Sequence, residues 1–205
     1  MGDQAGRGLG KALGLNWVRL LATLTLAMKL ALPVHGEPPP KGTEEGRKYE
    51  EYETRAAFIF VFAKYTEWLP QRMGPEDPFV VGILGDSPLG QALEKQAALT
   101  TVQGHKVLVK RFRNASEVQD CHLLYFPAQT ERQLLELRSR LAQEGVLTVG
   151  ETSFFLGFGG GVQLFREEGS LQFVVNRAVL DQSHLRVASR ALNLAKKVIT
   201  APWNP

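Results

Sequence analysis

Three histidines lie beyond residue 36, His105, His122 and His184, together with a single cysteine, Cys121. No histidine stands at a metal-ligand interval from another or beside a paired carboxylate. One thiol can form neither an internal disulfide nor a thiolate cluster. No G-x-S-x-G sequence occurs, and Ser153 and Ser183 have no sequence neighbour that would activate a hydroxyl. Gly157, Gly159, Gly160 and Gly161 precede an alternating apolar run, whereas a phosphate cradle lies between a strand and a helix. They read as a turn with close backbone approach. The chemistry left is that of binding. Gly85-Asp86-Ser87-Pro88 joins a strand to a helix whose free amide groups suit an anion, although capping by Asp86 or Ser87 with Pro88 at the first helical position explains the same residues. Phe154, Phe155 and Phe158 in the glycine-rich stretch, with Phe165 beyond it, suit a protein interface or a pocket lining; Phe158, between glycines, is expected to be an exposed anchor. No catalytic residue, metal or cofactor is expected. Partner binding is expected at Phe154, Phe155, Phe158 and Phe165. A small ligand would sit at Gly85, Asp86, Ser87, Gly159 and Gly160, in the crevice at the carboxyl ends of the strands.

The elements that must position these residues follow from hydrophobic periodicity. Glu50 to Trp68 is dense in apolar residues and ends at Pro70, predicting a helix buried against a sheet. Phe79–Leu84 is a strand, Pro88–Leu99 a helix, Gly104–Phe112 a strand, Cys121–Phe126 a strand, Thr130–Gln143 a helix and Val146–Val149 a strand buried on both faces. The basic run Lys106 to Arg113 alternates with Val107, Val109 and Phe112, the pattern of an edge strand shielded by positive side chains. VQLFRE and LQFVVN, joined by Glu168-Gly169-Ser170, read as an antiparallel hairpin. A turn or short helix over Asn176–Leu180 and a helix over Ser189–Ile199 close the chain. The predicted fold class is α/β: a mainly parallel sheet with helices on both faces and a C-terminal antiparallel hairpin.

Composition and charge bound the rest. The chain has 205 residues, 44% hydrophobic and 22% charged, enough for a sizeable core. Arg7, Lys11 and Arg19 precede an apolar run from Leu20 to Met28 that continues to Leu32, and Val34 and Gly36 supply small residues before a cut at Glu37. This is a secretory leader pattern; a retained anchor over Leu15 to Val34 is the alternative. The expected organisation is a signal peptide over 1–36, a flexible tail over 37–47 and one domain over 48–205. The leader holds four of the 24 Lys and Arg and one of the 21 Asp and Glu, so the exported part carries 20 of each. A net charge of zero removes the electrostatic footing for a nucleic-acid partner.

Six segments in order, AAFIFVFAKYTEWLP, VGILGDSPLG, DCHLLYF, GVLTVGETSFFLGFGGGVQLF, LQFVVN and LRVASRALNLAKKV, give the chain a resemblance to the YfiR family of exported proteins over nearly all of Tyr49 to Val198. The resemblance implies a periplasmic α/β protein that is not an enzyme. From the best-known member it implies one that restrains a membrane-bound diguanylate cyclase by binding its periplasmic sensory domain, and so acts on cyclic di-GMP signalling and biofilm formation. That member is tuned by disulfides. Here Cys121 stands alone, with Gly82 near the place of a family strand cysteine, so redox control by an internal bridge does not carry over. The alternative is a periplasmic small-ligand receptor module; a homodimer stays open.

Overall fold

The computed structural model describes Pro40, residues 42–69 and residues 72–200. The expected leader, residues 37–39 and 41 of the tail after it, and residues 70–71 lie outside the described residues. Helix α1 spans Glu44–Tyr65 and so begins inside the stretch expected as tail. The reason is local: the Thr43 hydroxyl accepts the Gly46 N–H at 3.0 Å, and Glu44 and Glu45 place negative charge at the helix start. Its inward face, Ala56, Ile59, Phe60, Phe62 and Ala63, is buried. Strand β1 (Thr66–Glu67) follows, then β2 (Phe79–Leu84), α2 (Leu89–Ala98), β3 (Thr101–Val102), β4 (His105–Phe112), β5 (Leu123–Tyr125) and α3 (Leu134–Gln143). The chain continues with β6 (Leu147–Gly150), α4 (Ser153–Gly157), β7 (Val162–Glu167), β8 (Ser170–Asn176), α5 (Arg177–Gln182), β9 (Arg186–Val187), α6 (Ser189–Leu192) and β10 (Lys197–Ile199).

Among the described residues, eight strands form one sheet in the order β10-β8-β7-β6-β5-β2-β4-β3, and β1 pairs with β9 separately. The pairs β2–β4, β2–β5, β5–β6, β6–β7 and β8–β10 are parallel; β7–β8 and β3–β4 are antiparallel. Alternate side chains of the central strands enter two apolar clusters. Phe79, Val81, Ile83, Leu123, Tyr125, Leu147 and Val149 meet α1 and α2. Val80, Leu84, Leu124 and Phe126 meet Leu134, Leu137 and Leu141 of α3 and also Phe155. That two-sided burial is why these strands read as unbroken apolar runs.

The chain's end departs from expectation. The helix predicted over Ser189–Ile199 stops at Leu192, and Lys197–Ile199 forms β10, parallel to β8 in the register Val198↔Val175. The antiparallel pair is therefore not the end of the sheet. Val198 and Ile199 are β-branched, and the Lys196 N–H donates to the Phe173 carbonyl at 2.9 Å to start the pairing.

Cys121 is buried, and burial pushes its thiol up to about 12, so it packs as a small apolar residue. A Cβ at Gly82 would lie 2.8 Å from Leu124 Cδ1 and Phe112 Cε2, so the packing leaves no room there for a cysteine. His122 stacks on Phe79 at 4.9 Å; its Nδ1 accepts the Val80 N–H at 3.0 Å and its Nε2–H donates to the Arg72 carbonyl at 3.0 Å. Burial holds its pKa below the ordinary histidine value. The unfolded chain therefore takes up this proton first as pH falls. The contribution of neutral His122 to stability is complete above the unfolded value of about 6.5 and is lost below it. The expected result is a melting temperature that falls from pH 7.5 to pH 5, with a shallower slope in His122→Asn, whose amide oxygen can still accept from Val80.

Candidate functional site

The connections run from β2 outward to β4 and then back to β5 on the opposite side of β2, so the chain reverses direction across the sheet between β2 and β5. In sheets of this order the crevice at the carboxyl ends of those strands is the usual binding place. Gly85, Asp86 and Ser87 stand there. Gly85 has φ +82°, a backbone state that favours glycine, and a Cβ would meet Thr130 Cγ2 at 2.8 Å. Ser87 Oγ accepts the Leu89 N–H at 3.2 Å and the Asp86 carbonyl accepts from Gln129 Nε2 at 2.9 Å, so both residues are engaged in fixing the turn.

A network of charged side chains gathers beyond the carboxyl ends of β5 and β6. The Tyr125 hydroxyl, at the end of β5, donates to Glu151, which follows β6. Arg55 of α1 reaches the same carboxylate at 2.5 Å and also holds Glu51 Oε1 at 2.8 Å. Arg166 of β7 holds Glu51 Oε2 at 3.0 Å. Burial would lower the Arg55 pKa, but Glu151 and Glu51 reverse this and keep the guanidinium charged. Burial first and Glu151 second push the Tyr125 phenol well above its ordinary range. Glu51 shows the opposite balance: burial would raise its carboxyl, and bonds from Arg55 and Arg166 bring it below the ordinary value.

Glu131, just before α3, is 2% exposed. Its carboxylate accepts the Glu151 N–H at 2.6 Å, the Thr152 N–H at 2.8 Å and the Thr152 hydroxyl. A buried anion thus fixes the turn from β6 into α4. Sequence reasoning missed Arg55, Tyr125, Glu131 and Glu151. Glu131 lies about a helix length in sequence from the amides it caps, and no local pattern marks that bond.

The aromatic group separates. Phe154 and Phe155, expected in the glycine-rich stretch, lie in a single helical turn, α4, just before the glycine turn, and its 100° step per residue sends adjacent phenylalanines in different directions. Phe154 is 71% exposed, while Phe155 is fully buried against Phe126 at 5.5 Å. The glycines serve Phe155: a Cβ on Gly150 or Gly160 would come within 2.3 Å or 2.2 Å of its ring. Phe155 is therefore a core residue and not a contact residue. Phe158, expected as an exposed anchor, is half-buried against the second apolar cluster because it closes α4 over that core. Phe165 is half-buried on β7, opposite Gln172.

The five residues expected to hold a ligand do not converge. Gly85–Ser87 follow β2, whereas Gly159 and Gly160 precede β7, and parallel strands place these positions at opposite ends of the sheet. Gly159 lines a separate cavity of about 230 Å³ with Leu134, Arg138 and Ser183. Among the described residues no group of three His, Cys, Asp or Glu is placed to hold a metal ion, and no helix is long and apolar enough to cross a membrane.

A family model described as YfiR/HmsC-like matches residues 52–196. Two solved structures are similar. One is a conserved domain protein from Vibrio cholerae, with 14% identity and a TM-score of 0.50. The other is an ABC domain in complex with L-Trp from Streptococcus pneumoniae, with 11% identity and a TM-score of 0.48. Each match covers 72% of this chain and 60% of the other, so the chain spans less than two thirds of either protein. The first likeness concerns the fold alone. No curated protein matches the chain.

Proposed function

The chain belongs to the YfiR/HmsC-like family, and from that premise we propose that it is a periplasmic regulatory protein that binds the sensory domain of an inner-membrane signalling enzyme. The partner the resemblance implies is a diguanylate cyclase, whose output this protein lowers. The family match over residues 52–196 carries the reading. The exposure of Phe154 beside a turn held rigid by Glu131 and Glu151 supports it, since a large aromatic on an ordered element loses little entropy on docking. The ligand-receptor alternative has less support, because the polar groups beyond the ends of β5 and β6, Arg55, Tyr125 and Glu151, are already bonded to one another.

An exported protein acts from one side of the membrane on a product made on the other. Action then passes through a periplasmic contact, and the protein must bind the inactive state of its partner more tightly than the active one. Deleting the gene is expected to raise cyclic di-GMP and surface attachment. A copy with its leader should reverse both, and a copy lacking residues 1–36 should reverse neither, because it stays in the cytoplasm. Equal rescue by the leaderless copy, or no change on deletion, would remove the reading. Capture of a membrane enzyme on immobilised protein tests the contact itself.

A further inference from the structure

Strand β4 is an edge whose outer backbone groups beyond β3 are left open among the described residues. β3 covers only its first two residues, in the register Val102↔His105 and Thr101↔Lys106. On the inner side every residue from Val107 to Phe112 pairs with β2. The Gly85 N–H donates to the Phe112 carbonyl at 2.6 Å, so Phe112, Lys110 and Leu108 turn their backbone groups toward β2. By alternation Val107, Val109 and Arg111 turn theirs outward. Among the described residues nothing bonds to these outward groups.

The charged side chains of β4 itself are all positive and stand among apolar ones. Lys106 and Lys110 flank Leu108, which is 44% exposed, on one face. Val107 and Val109 lie half-buried beside the first apolar cluster on the other. Arg111 is engaged with Glu94 at 2.8 Å, whereas Lys106 has no ion pair among the described residues. Lys110 shares a cavity with Asp77 and Asp120 but lies within salt-bridge distance of neither.

We propose that the edge of β4 accepts an added strand from a partner protein, an extended acidic segment. Its backbone would bond to Val107, Val109 and Arg111, with carboxylates beside Lys106 and Lys110 and apolar side chains beside Val107 and Val109. A second copy of this chain does not fit, because β4 laid against β4 sets lysine beside lysine, and like charges across a strand pair repel. The inference does not depend on which protein supplies the strand. It concerns a surface distinct from Phe154.

The probe is a dye-labelled peptide of alternating Glu and Val, titrated with the protein and read by fluorescence anisotropy. Saturable binding is expected, weakening severalfold as salt rises, and at least about tenfold weaker in Val109→Pro, where the missing N–H is one that points away from β2. The same peptide with N-methyl groups on alternate amides is expected to lose binding to the unaltered protein, which tests the backbone bonds even where the proline variant folds poorly. Lys106→Glu with Lys110→Glu should shift preference to an alternating Lys and Val peptide. Absent binding, or equal binding by Val109→Pro or by the N-methylated peptide, would overturn strand addition and leave the lysines as a shield on a bare edge. Such a failure leaves the regulatory reading standing, since that reading rests on the family.

Discussion

Truncating Phe155 to alanine is expected to destabilise the protein by about 3–5 kcal/mol, while the same change at its neighbour Phe154 should move stability by less than about 0.5 kcal/mol. Both residues sit in one turn of α4, so the contrast isolates direction from composition. Phe155 fills a space that Gly150 and Gly160 keep open, and its loss leaves a void bounded by backbone, which collapses poorly. Phe154 has most of its ring in water and makes few contacts to lose. If Phe154 is the contact residue, Phe154→Ala weakens partner capture by about 2 kcal/mol or more with an unchanged melting temperature. Thermal melts and capture from membranes, run on both variants, decide it. A stable Phe155→Ala variant would mean that the glycine packing around the ring is not what holds α4 down.

What could be read from the sequence divides along physical lines. The strand Phe79–Leu84 and the turn into α2 were legible because their signals are local: an unbroken apolar run, then a hydroxyl and a proline before a helix. The edge position of β4 was legible from its lysines, because a strand buried on both faces cannot carry them. The two-way split of Phe154 and Phe155 was not. A five-residue helix is too short to show a period, and only the fold reveals that Gly150 and Gly160 converge on one ring. The carboxylate of Glu131 was illegible for a related reason, since its partners are backbone amides set by a turn about twenty residues away. β10 was hidden by the helical pattern preceding it; the pairing with β8, a tertiary contact, decides its conformation.

The network of Arg55, Glu151 and Tyr125 carries the second large expectation. Arg55→Leu removes the cation from a carboxylate that also accepts the Tyr125 hydroxyl, and both Arg55 and Glu151 are mostly shielded from water. Removing one partner of a fully buried pair costs about 3–5 kcal/mol. With side-chain exposures of 14% and 24%, water relieves part of this, and about 2–3 kcal/mol is expected here. Glu51 does not add to the loss, because Arg166 still holds its other oxygen at 3.0 Å. The cause is an uncompensated charge, so removing that charge should cure it. Arg55→Leu with Glu151→Leu and Tyr125→Phe removes the whole triad and leaves only Glu51 Oε1, on a side chain 26% exposed and open to water, without its partner; it is expected to return to within about 1 kcal/mol of the parent. Partner capture should behave differently. Glu151 ties the turn into α4 to α1 and β5, and Thr152 stays capped by Glu131 in every variant, so the triple variant regains stability but frees one of the two ties that orient Phe154. Restored melting temperature with weakened capture is the expected pair of results. A triple variant as unstable as Arg55→Leu would show that shape, and not charge, is what the network supplies.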